Sequence, residues 1–182
     1  MPSTLHHLAD AAATQALGRK LAARWLAFTA TSQPSDAAGA WPILLLQGDL
    51  GAGKTCLVQG LAEGLGISEP ITSPSYALAQ HYSGLLQAGP LAGRATALVH
   101  LDLYRLEDPA AAEELFAQEE EEARALGALL AVEWPQRLAV PPAGAWLVAL
   151  ELADPEQPEA GRSARVTTQP NDSPQGAPKA PR

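Results

Sequence analysis

The stretch from residue 43 to residue 65 restricts the fold of this chain more than any other part of its sequence. Residues 43–46 (ILLL) have the length and composition of a strand that is buried on both faces of a sheet. The glycine-rich loop, GDLGAGKT at 48–55, follows directly. Leucines at every fourth position from Leu57 then predict a helix that ends near Gly66. This strand–loop–helix order is typical of α/β proteins.

The glycine-rich loop matches the pattern G-x-x-x-x-G-K-[ST], which binds nucleotide phosphates when a strand precedes it and a helix follows. Its glycines allow a tight turn whose N–H groups converge on one anion, and the helix N-terminus adds partial positive charge. Lys54 is placed to reach the β- and γ-phosphates, and the Thr55 hydroxyl to ligate Mg²⁺. An ordinary turn would leave both residues unexplained. The predicted nucleotide-binding residues are Gly48, Asp49, Leu50, Gly51, Ala52, Gly53, Lys54 and Thr55.

The nucleotide is expected to be ATP rather than GTP. Small GTPases usually read guanine with an Asn-Lys-x-Asp box, and the one asparagine here, Asn171, lies close to the end of the sequence. No lysine outside the loop is suitably placed for such a box. Within the loop, Asp49 is expected to stabilise the turn through a hydrogen bond.

Two further apolar runs each end in an acidic residue. Residues 97–101 lead to Asp102, and residues 129–132 lead to Glu133. Ligands gather at the carboxyl ends of parallel strands, where P-loop enzymes place a carboxylate near Mg²⁺. One acid is therefore expected to hold the metal while the other orients the attacking water; which does which stays open, as does a simple capping role for either. His100, on the same strand face as Asp102, is expected to be structural rather than a phosphate contact.

The remaining pattern alternates helices with strands. Asp10 is predicted to cap a helix that runs to about residue 28, and Asp108-Pro109 opens another. Four glutamates at 119–122 are expected on a solvated helix face. Further strands are predicted at 76–82, 146–150 and 165–168, with loops at 29–40 and 83–94.

This order predicts one domain over residues 1–168, a P-loop NTPase-like three-layer α/β sandwich. Its mixed, mostly parallel sheet is expected to carry helices on both faces. Residues 169–182 are rich in proline and polar groups, so we expect a disordered tail.

Composition excludes several classes of function. The net charge is −8 and only three lysines occur, so direct, tight binding of RNA or DNA is not expected. Cys56 is the single cysteine, which rules out an internal disulfide. No apolar run is long enough to span a bilayer, and the N-terminus does not look like a signal peptide. Together these features favour a cytoplasmic protein without a membrane partner.

Four motifs in this order resemble those of the TsaE family, the bacterial ATPases of tRNA threonylcarbamoyladenosine biosynthesis. They are GDLGAGKT at 48–55, TSPSY at 72–76, HLDLYRL at 100–106 and VEWP at 132–135. The resemblance spans about residues 5–166, and the last three motifs are far more distinctive than the first. Two positions depart from the family pattern: Ser75 replaces the usual threonine, and Cys56 replaces a commoner threonine.

The resemblance implies Mg-ATP binding and slow ATP hydrolysis in support of a TsaB–TsaD pair, which transfers threonylcarbamoyl to an adenosine beside the anticodon. It implies that Thr55, Asp102 and Glu133 surround the metal and the γ-phosphate. With Lys54, the two acids form the expected catalytic set. Cys56, directly after the first motif, and Ser75, within the second, complete the expected nucleotide-binding set. Contact with tRNA is expected only through the complex.

Two other functions stay open. A small-molecule kinase usually carries an arginine-rich lid, whereas the arginines at 94, 105, 124 and 137 are scattered. A nucleotide sensor would bind ATP with only incidental hydrolysis, and the acids at 102 and 133 favour some hydrolysis without excluding this reading. ATP turnover measured alone, with metabolite acceptors, and with TsaB and TsaD would separate the three.

Overall fold

The computed structural model of this chain describes residues 3–31 and 43–168. The predicted tail at 169–182 and most of the predicted loop at 29–40 lie outside the described residues. The helices and strands are β1 Ser3–Leu8, α1 Ala11–Thr31, β2 Leu44–Gln47, α2 Lys54–Gly64, β3 Ala79–Leu85, β4 Ala95–Asp102, α3 Pro109–Leu126, β5 Leu129–Glu133, β6 Trp146–Leu152 and β7 Arg162–Thr167, with short 3-10 helices at Pro135–Arg137 and Pro158–Ala160.

The strands form one seven-stranded sheet in the order β1-β7-β6-β2-β5-β4-β3. β2 lies at the centre and pairs in parallel with both β5 and β6, and β4 pairs in parallel with β5. The remaining pairings are antiparallel, so β3 and β7 run against the other five strands. The predicted mixed, mostly parallel sheet is confirmed. The carboxyl ends of β2, β4, β5 and β6 therefore meet at one edge.

Alternating residues of the central strands divide the core between the two faces of the sheet. Leu98 belongs to the cluster packed under α1 and α2, and its neighbour Val99 to the cluster packed under α3. Successive side chains of a strand point to opposite faces. Asp102 therefore shares the α2 face with Leu98, and so does Glu133, its partner in the pairing of β4 with β5. Helices on both faces complete the predicted three-layer sandwich.

Capping residues set the beginnings of the two longest helices, as the sequence predicts. The Asp10 carboxylate accepts a hydrogen bond from the Ala13 N–H (2.7 Å), and the Asp108 carboxylate accepts one from the Ala110 N–H (3.0 Å). α3 ends at Gly127, whose φ of 61° suits glycine. No helix of residues 3–31 and 43–168 combines the length and the apolar character that crossing a membrane requires.

Two strands differ from the sequence predictions. The segment 76–82 alternates like a strand, but residues 75–77 form a turn and Leu78 has a φ of 67°, so β3 begins only at Ala79. β3 then continues to Leu85, where it pairs with Ala95, and this shortens the predicted loop at 83–94. β1, which has no apolar run, pairs with β7 at the edge of the sheet and was not predicted.

The prediction of a solvated helix face at 119–122 is wrong for Glu119. Glu119 is only 5% exposed, and its carboxylate lies 2.7 Å from Nε2 of His81 on β3. Glu122 lies 3.4 Å from the other ring nitrogen of His81. The acid at 119 can be buried because the imidazole supplies a polar partner.

Candidate functional site

The glycine-rich loop leaves the end of β2 at the carboxyl edge of the sheet, and its last two residues open α2. Gly48, Gly51 and Gly53 have φ angles of 151°, 80° and 104°, which residues with a side chain rarely adopt. A Cβ at Gly48 would collide with the Leu150 carbonyl, and one at Gly53 would collide with the Arg162 guanidinium. Glycine is therefore required at Gly48 by conformation and by space, and at Gly53 by conformation.

The N-terminus of α2 carries no side-chain cap. Its N-cap residue is Gly53, which has no side chain to accept a hydrogen bond. The first backbone bond of the helix runs from the Leu57 N–H to the Gly53 carbonyl (2.9 Å), so the N–H groups of residues 54–56 have no acceptor within the helix. Residues 54–56 line a cavity, where the open helix end favours an anion.

Lys54 lies across the glycine-rich loop. Its Nζ donates hydrogen bonds to the carbonyls of Gly48 (2.8 Å) and Asp49 (2.9 Å), and it lies 4.2 Å from the ring centroid of Trp134. The side chain is buried, and this burial lowers the pKa of Lys54, while the nearby Glu133 carboxylate opposes the shift. The ammonium is held where its charge and donors can meet an anion in the cavity.

Glu133 connects the loop to the neighbouring strand. The Thr55 hydroxyl donates to Glu133 Oε1 at 2.9 Å, and His100 Nε2 lies 2.9 Å from the same oxygen. His100 is fully buried and is not among the cavity-lining residues, so it lies behind Glu133 and supports it. The contact with Glu133 fits the predicted structural role of this histidine.

Asp102 has a different set of partners, supplied by the segment before β3. Its Oδ2 accepts hydrogen bonds from the hydroxyls of Ser75 (2.5 Å) and Ser73 (3.3 Å), and its Oδ1 accepts from the Tyr104 N–H (2.9 Å). The two serine hydroxyls are 2.8 Å apart. The segment at 73–75 is therefore attached to the site through one carboxylate.

These groups surround a cavity of about 330 Å³ at the carboxyl edge of the sheet. One part of its wall is cationic, formed by Lys54 and the open end of α2. Another part is rich in oxygen, with the Thr55 hydroxyl and the carboxylates of Asp102 and Glu133. Hydroxyl and carboxylate oxygens are ligands that Mg²⁺ prefers, and N–H groups with a lysine suit phosphate. The residues present therefore fit a ligand that combines phosphate with a divalent cation.

A family model described as "Threonylcarbamoyl adenosine biosynthesis protein TsaE" matches residues 8–162. The chain belongs to the TsaE family. The curated tRNA threonylcarbamoyladenosine biosynthesis protein TsaE of a Nostoc species is 39% identical over 125 residues, 69% of each chain. The proteins of the same name from a Synechocystis species and from Treponema pallidum are 47% and 41% identical. These two matches cover 53% of this chain, and 55% and 62% of the respective relatives.

A solved structure has the same fold. The crystal structure of YdiB from Bacillus subtilis matches with a TM-score of 0.57 at 21% identity, over 93% of this chain and 88% of that one. The fold is therefore the expected P-loop-like α/β sandwich. As a TsaE protein, the chain is assigned to tRNA threonylcarbamoyladenosine biosynthesis.

Most of the residues predicted from the TsaE-like motifs meet in the cavity. Of the predicted set, only Gly48, Asp49 and Ala52 do not line it. Gly48 and Asp49 hold Lys54 through their carbonyls, so the hydrogen bonds seen for Asp49 involve its backbone. Ala52 is buried in the core under α1 and α2. The lining residues from the predicted set are Leu50, Gly51, Gly53, Lys54, Thr55, Cys56, Ser75, Asp102 and Glu133.

Four cavity-lining residues were not among the predicted site residues: Ala11, Ser73, Trp134 and Arg162. Trp134 has a φ of 59°, rare for a bulky side chain, and presents its indole to Lys54. Its position directly after Glu133 was an available signal. Arg162 lines the cavity from β7, and its Nη1 donates to the Ala52 carbonyl at 3.1 Å, across 110 residues of sequence. No local pattern connects these two positions.

Proposed function

We propose that this protein binds Mg-ATP in the cavity and hydrolyses it slowly in support of threonylcarbamoyladenosine formation on tRNA. The observation that carries the proposal is the 2.9 Å hydrogen bond between the Thr55 hydroxyl and the Glu133 carboxylate. It joins two oxygen ligands for a metal at the open end of α2, beside Lys54. A metal and a phosphate chain would thus find their ligands in one place.

The roles of the residues follow from their contacts. The open N–H groups of α2 and the ammonium of Lys54 would bind the phosphates. Thr55 and Glu133 would hold Mg²⁺, which supplies positive charge beside the transferred phosphoryl group. Asp102, which accepts hydrogen bonds from Ser75 and Ser73, would orient the attacking water. These contacts support a division in which Glu133 holds the metal and Asp102 orients the water.

Slow turnover is expected because, among the described residues, no arginine contacts the acidic part of the cavity. An arginine at the transferred phosphate often accelerates hydrolysis by about 10³- to 10⁵-fold. The four arginines at 94, 105, 124 and 137 do not line the cavity. Arg162 does, but its hydrogen bond goes to Ala52 rather than to the acids.

The cycle is proposed to serve a TsaB–TsaD complex. With a net charge of −8, the protein has little attraction for tRNA, so tRNA would be met through other proteins. The relatives named above are tRNA threonylcarbamoyladenosine biosynthesis proteins. ATP would favour association with the complex, and hydrolysis would reset it between rounds of modification.

ATP titration of Lys54→Ala tests the site. The variant should fold, bind ATP far more weakly and lose turnover, because no other lysine of the described residues lies in the cavity lining. Lys20→Ala, which removes an exposed lysine of α1, is the matched control and should bind like the wild type. Unchanged affinity and turnover in Lys54→Ala would remove the nucleotide-site assignment.

Pull-down with TsaB–TsaD in ATP, in ADP and without nucleotide tests the partner. Capture should be strongest with ATP, and multiple-turnover modification of tRNA should need an intact Lys54. Absence of capture in every nucleotide state would refute the partner. Stimulation of turnover by a metabolite, with none by TsaB–TsaD, would favour a kinase instead.

A further inference from the structure

Arg162 is a cationic residue to which the proposed function assigns no role. β7 begins with this residue at the edge of the sheet where the glycine-rich loop lies, because β7 returns antiparallel to β6. The guanidinium donates to the Ala52 carbonyl, and a Cβ at Gly53 would collide with it. Arg162 therefore lies against the loop and forms part of the cavity wall.

Among the described residues, the charge of Arg162 has no acidic partner. Within residues 3–31 and 43–168 the guanidinium forms no ion pair, whereas Arg19 pairs with Glu63 and Arg124 with Glu120. Its Nε–H is buried and has no hydrogen-bond partner. A buried donor without an acceptor destabilises the arrangement. Because Arg162 lines the cavity, a phosphate there would provide the missing negative charge.

The position of Arg162 along the α2 N-terminus indicates which part of a phosphate chain it meets. The acids lie in the part of the cavity near Thr55, whose hydroxyl donates a hydrogen bond to Glu133. Arg162 lies instead beside Gly53, and it lines the cavity together with Cys56. With the metal and the γ-phosphate at the Thr55 end, Arg162 faces the part of the chain that ATP and ADP share.

We propose that Arg162 is a phosphate-binding residue of this cavity, which contacts the α- or β-phosphate of the bound nucleotide and not the γ-phosphate. The inference rests on the proposed function, and it names a residue that determines affinity for ATP and ADP alike. Arginine suits this role because its planar fork donates two parallel hydrogen bonds to a phosphate.

Calorimetric titration of Arg162→Gln with Mg-ATP and with ADP tests the inference. We expect both dissociation constants to rise by about 10- to 100-fold, the range for a lost hydrogen bond to a charged group. Turnover at saturating ATP should change by less than about three-fold, because a residue that acts only on binding alters affinity and not the turnover of the saturated protein. Arg165→Gln, an exposed charge on the same strand, is the matched control and should leave both constants unchanged.

Weakened ATP binding with unchanged ADP binding would overturn the inference, because Arg162 would then contact the γ-phosphate. A fall in turnover with both affinities intact would overturn it too. A purely structural role through Ala52 is separated by Arg162→Lys, which keeps the charge. We expect Arg162→Lys to recover part of the affinity and to bind with a steeper salt dependence than Arg162→Gln.

The two proposals fail in different ways. If the wild type binds neither nucleotide, the proposed function fails and Arg162 loses its ligand. One combination of results refutes only the inference about Arg162. In it, the wild type binds both nucleotides, Lys54→Ala binds neither, and Arg162→Gln binds like Arg165→Gln. Melting temperatures without nucleotide identify a variant that is simply unfolded, and Arg162→Lys then supplies the deciding affinities.

Discussion

Asp102 and Glu133 lie opposite each other in the parallel pairing of β4 with β5, yet their carboxylates have different partners. Glu133 accepts from Thr55 of the glycine-rich loop, and Asp102 accepts from Ser75 of the segment before β3. Two acids at equivalent places in the sheet are thus attached to different parts of the cavity. This difference makes their roles separable by mutation.

Glu133→Gln and Asp102→Asn should each lower ATP turnover by about 100-fold or more, while nucleotide affinity falls less. Because Glu133 contacts Thr55, its variant should also need a higher Mg²⁺ concentration for half-maximal turnover. Asp102→Asn should keep the wild-type Mg²⁺ requirement. Turnover measured across a Mg²⁺ series separates the two, with the exposed Glu151→Gln as control. Normal turnover in either variant would assign that acid a structural role only.

Ser75→Ala should lower turnover by about ten-fold, since it removes a 2.5 Å hydrogen bond to the Asp102 carboxylate. Ser75→Thr keeps the hydroxyl and should stay close to wild type. Ser73→Ala, which loses only a 3.3 Å contact with the same oxygen, should have a smaller effect. Steady-state turnover at saturating ATP is the measurement. Equal losses from the two alanine variants would show that the hydrogen-bond distances do not rank these serines.

Mg-ATP should protect Cys56 from alkylation by iodoacetamide. The thiol is half-buried and lines the cavity beside the first turn of α2, so a bound nucleotide would shield it. It is the one cysteine in the sequence, so mass spectrometry reports on this site alone. The labelling rate should fall several-fold with Mg-ATP in the wild type and stay constant in Lys54→Ala. Equal protection in that variant would show that the nucleotide binds beside Cys56 without Lys54, and no protection in the wild type would place the nucleotide elsewhere.

Asp108→Ala should destabilise the protein by about 1 kcal/mol without changing ATP binding. The substitution removes the hydrogen bond from the Ala110 N–H at the start of α3. Asp108→Ser retains a capping oxygen and should recover most of the loss. Urea denaturation measures the free energy of unfolding. A loss of ATP affinity in the folded Asp108→Ala protein would show that α3 is coupled to the cavity.

Local sequence patterns were sufficient to predict those structural elements that follow one another directly in the sequence. The apolar run at 43–46, the glycines of the loop and the leucines of α2 predict strand, turn and helix from neighbouring residues. Asp102 and Glu133 could be chosen as site residues because each directly follows an apolar run, and the carboxyl ends of parallel strands meet at one edge.

Elements that depend on a distant partner could not be predicted in this way. β1 is mostly exposed, and its position depends on pairing with β7, in which Ser3 lies opposite Thr167. The start of β3 was misplaced because Leu78 adopts a left-handed conformation that alternation does not reveal. Glu119 looked solvated among four glutamates until β3 brought His81 against it.

The sequence by itself determined which chemical groups this protein has: a glycine-rich loop with Lys54 and Thr55, and two acids at strand ends. Which of these groups meet depends on how the strands are ordered in the sheet. The order of β2, β5 and β4 brings Thr55 to Glu133, and the return of β7 brings Arg162 to Ala52. The physical reason is that strand order and register arise from burial of the whole sheet, so contacts between distant side chains depend on all its strands together.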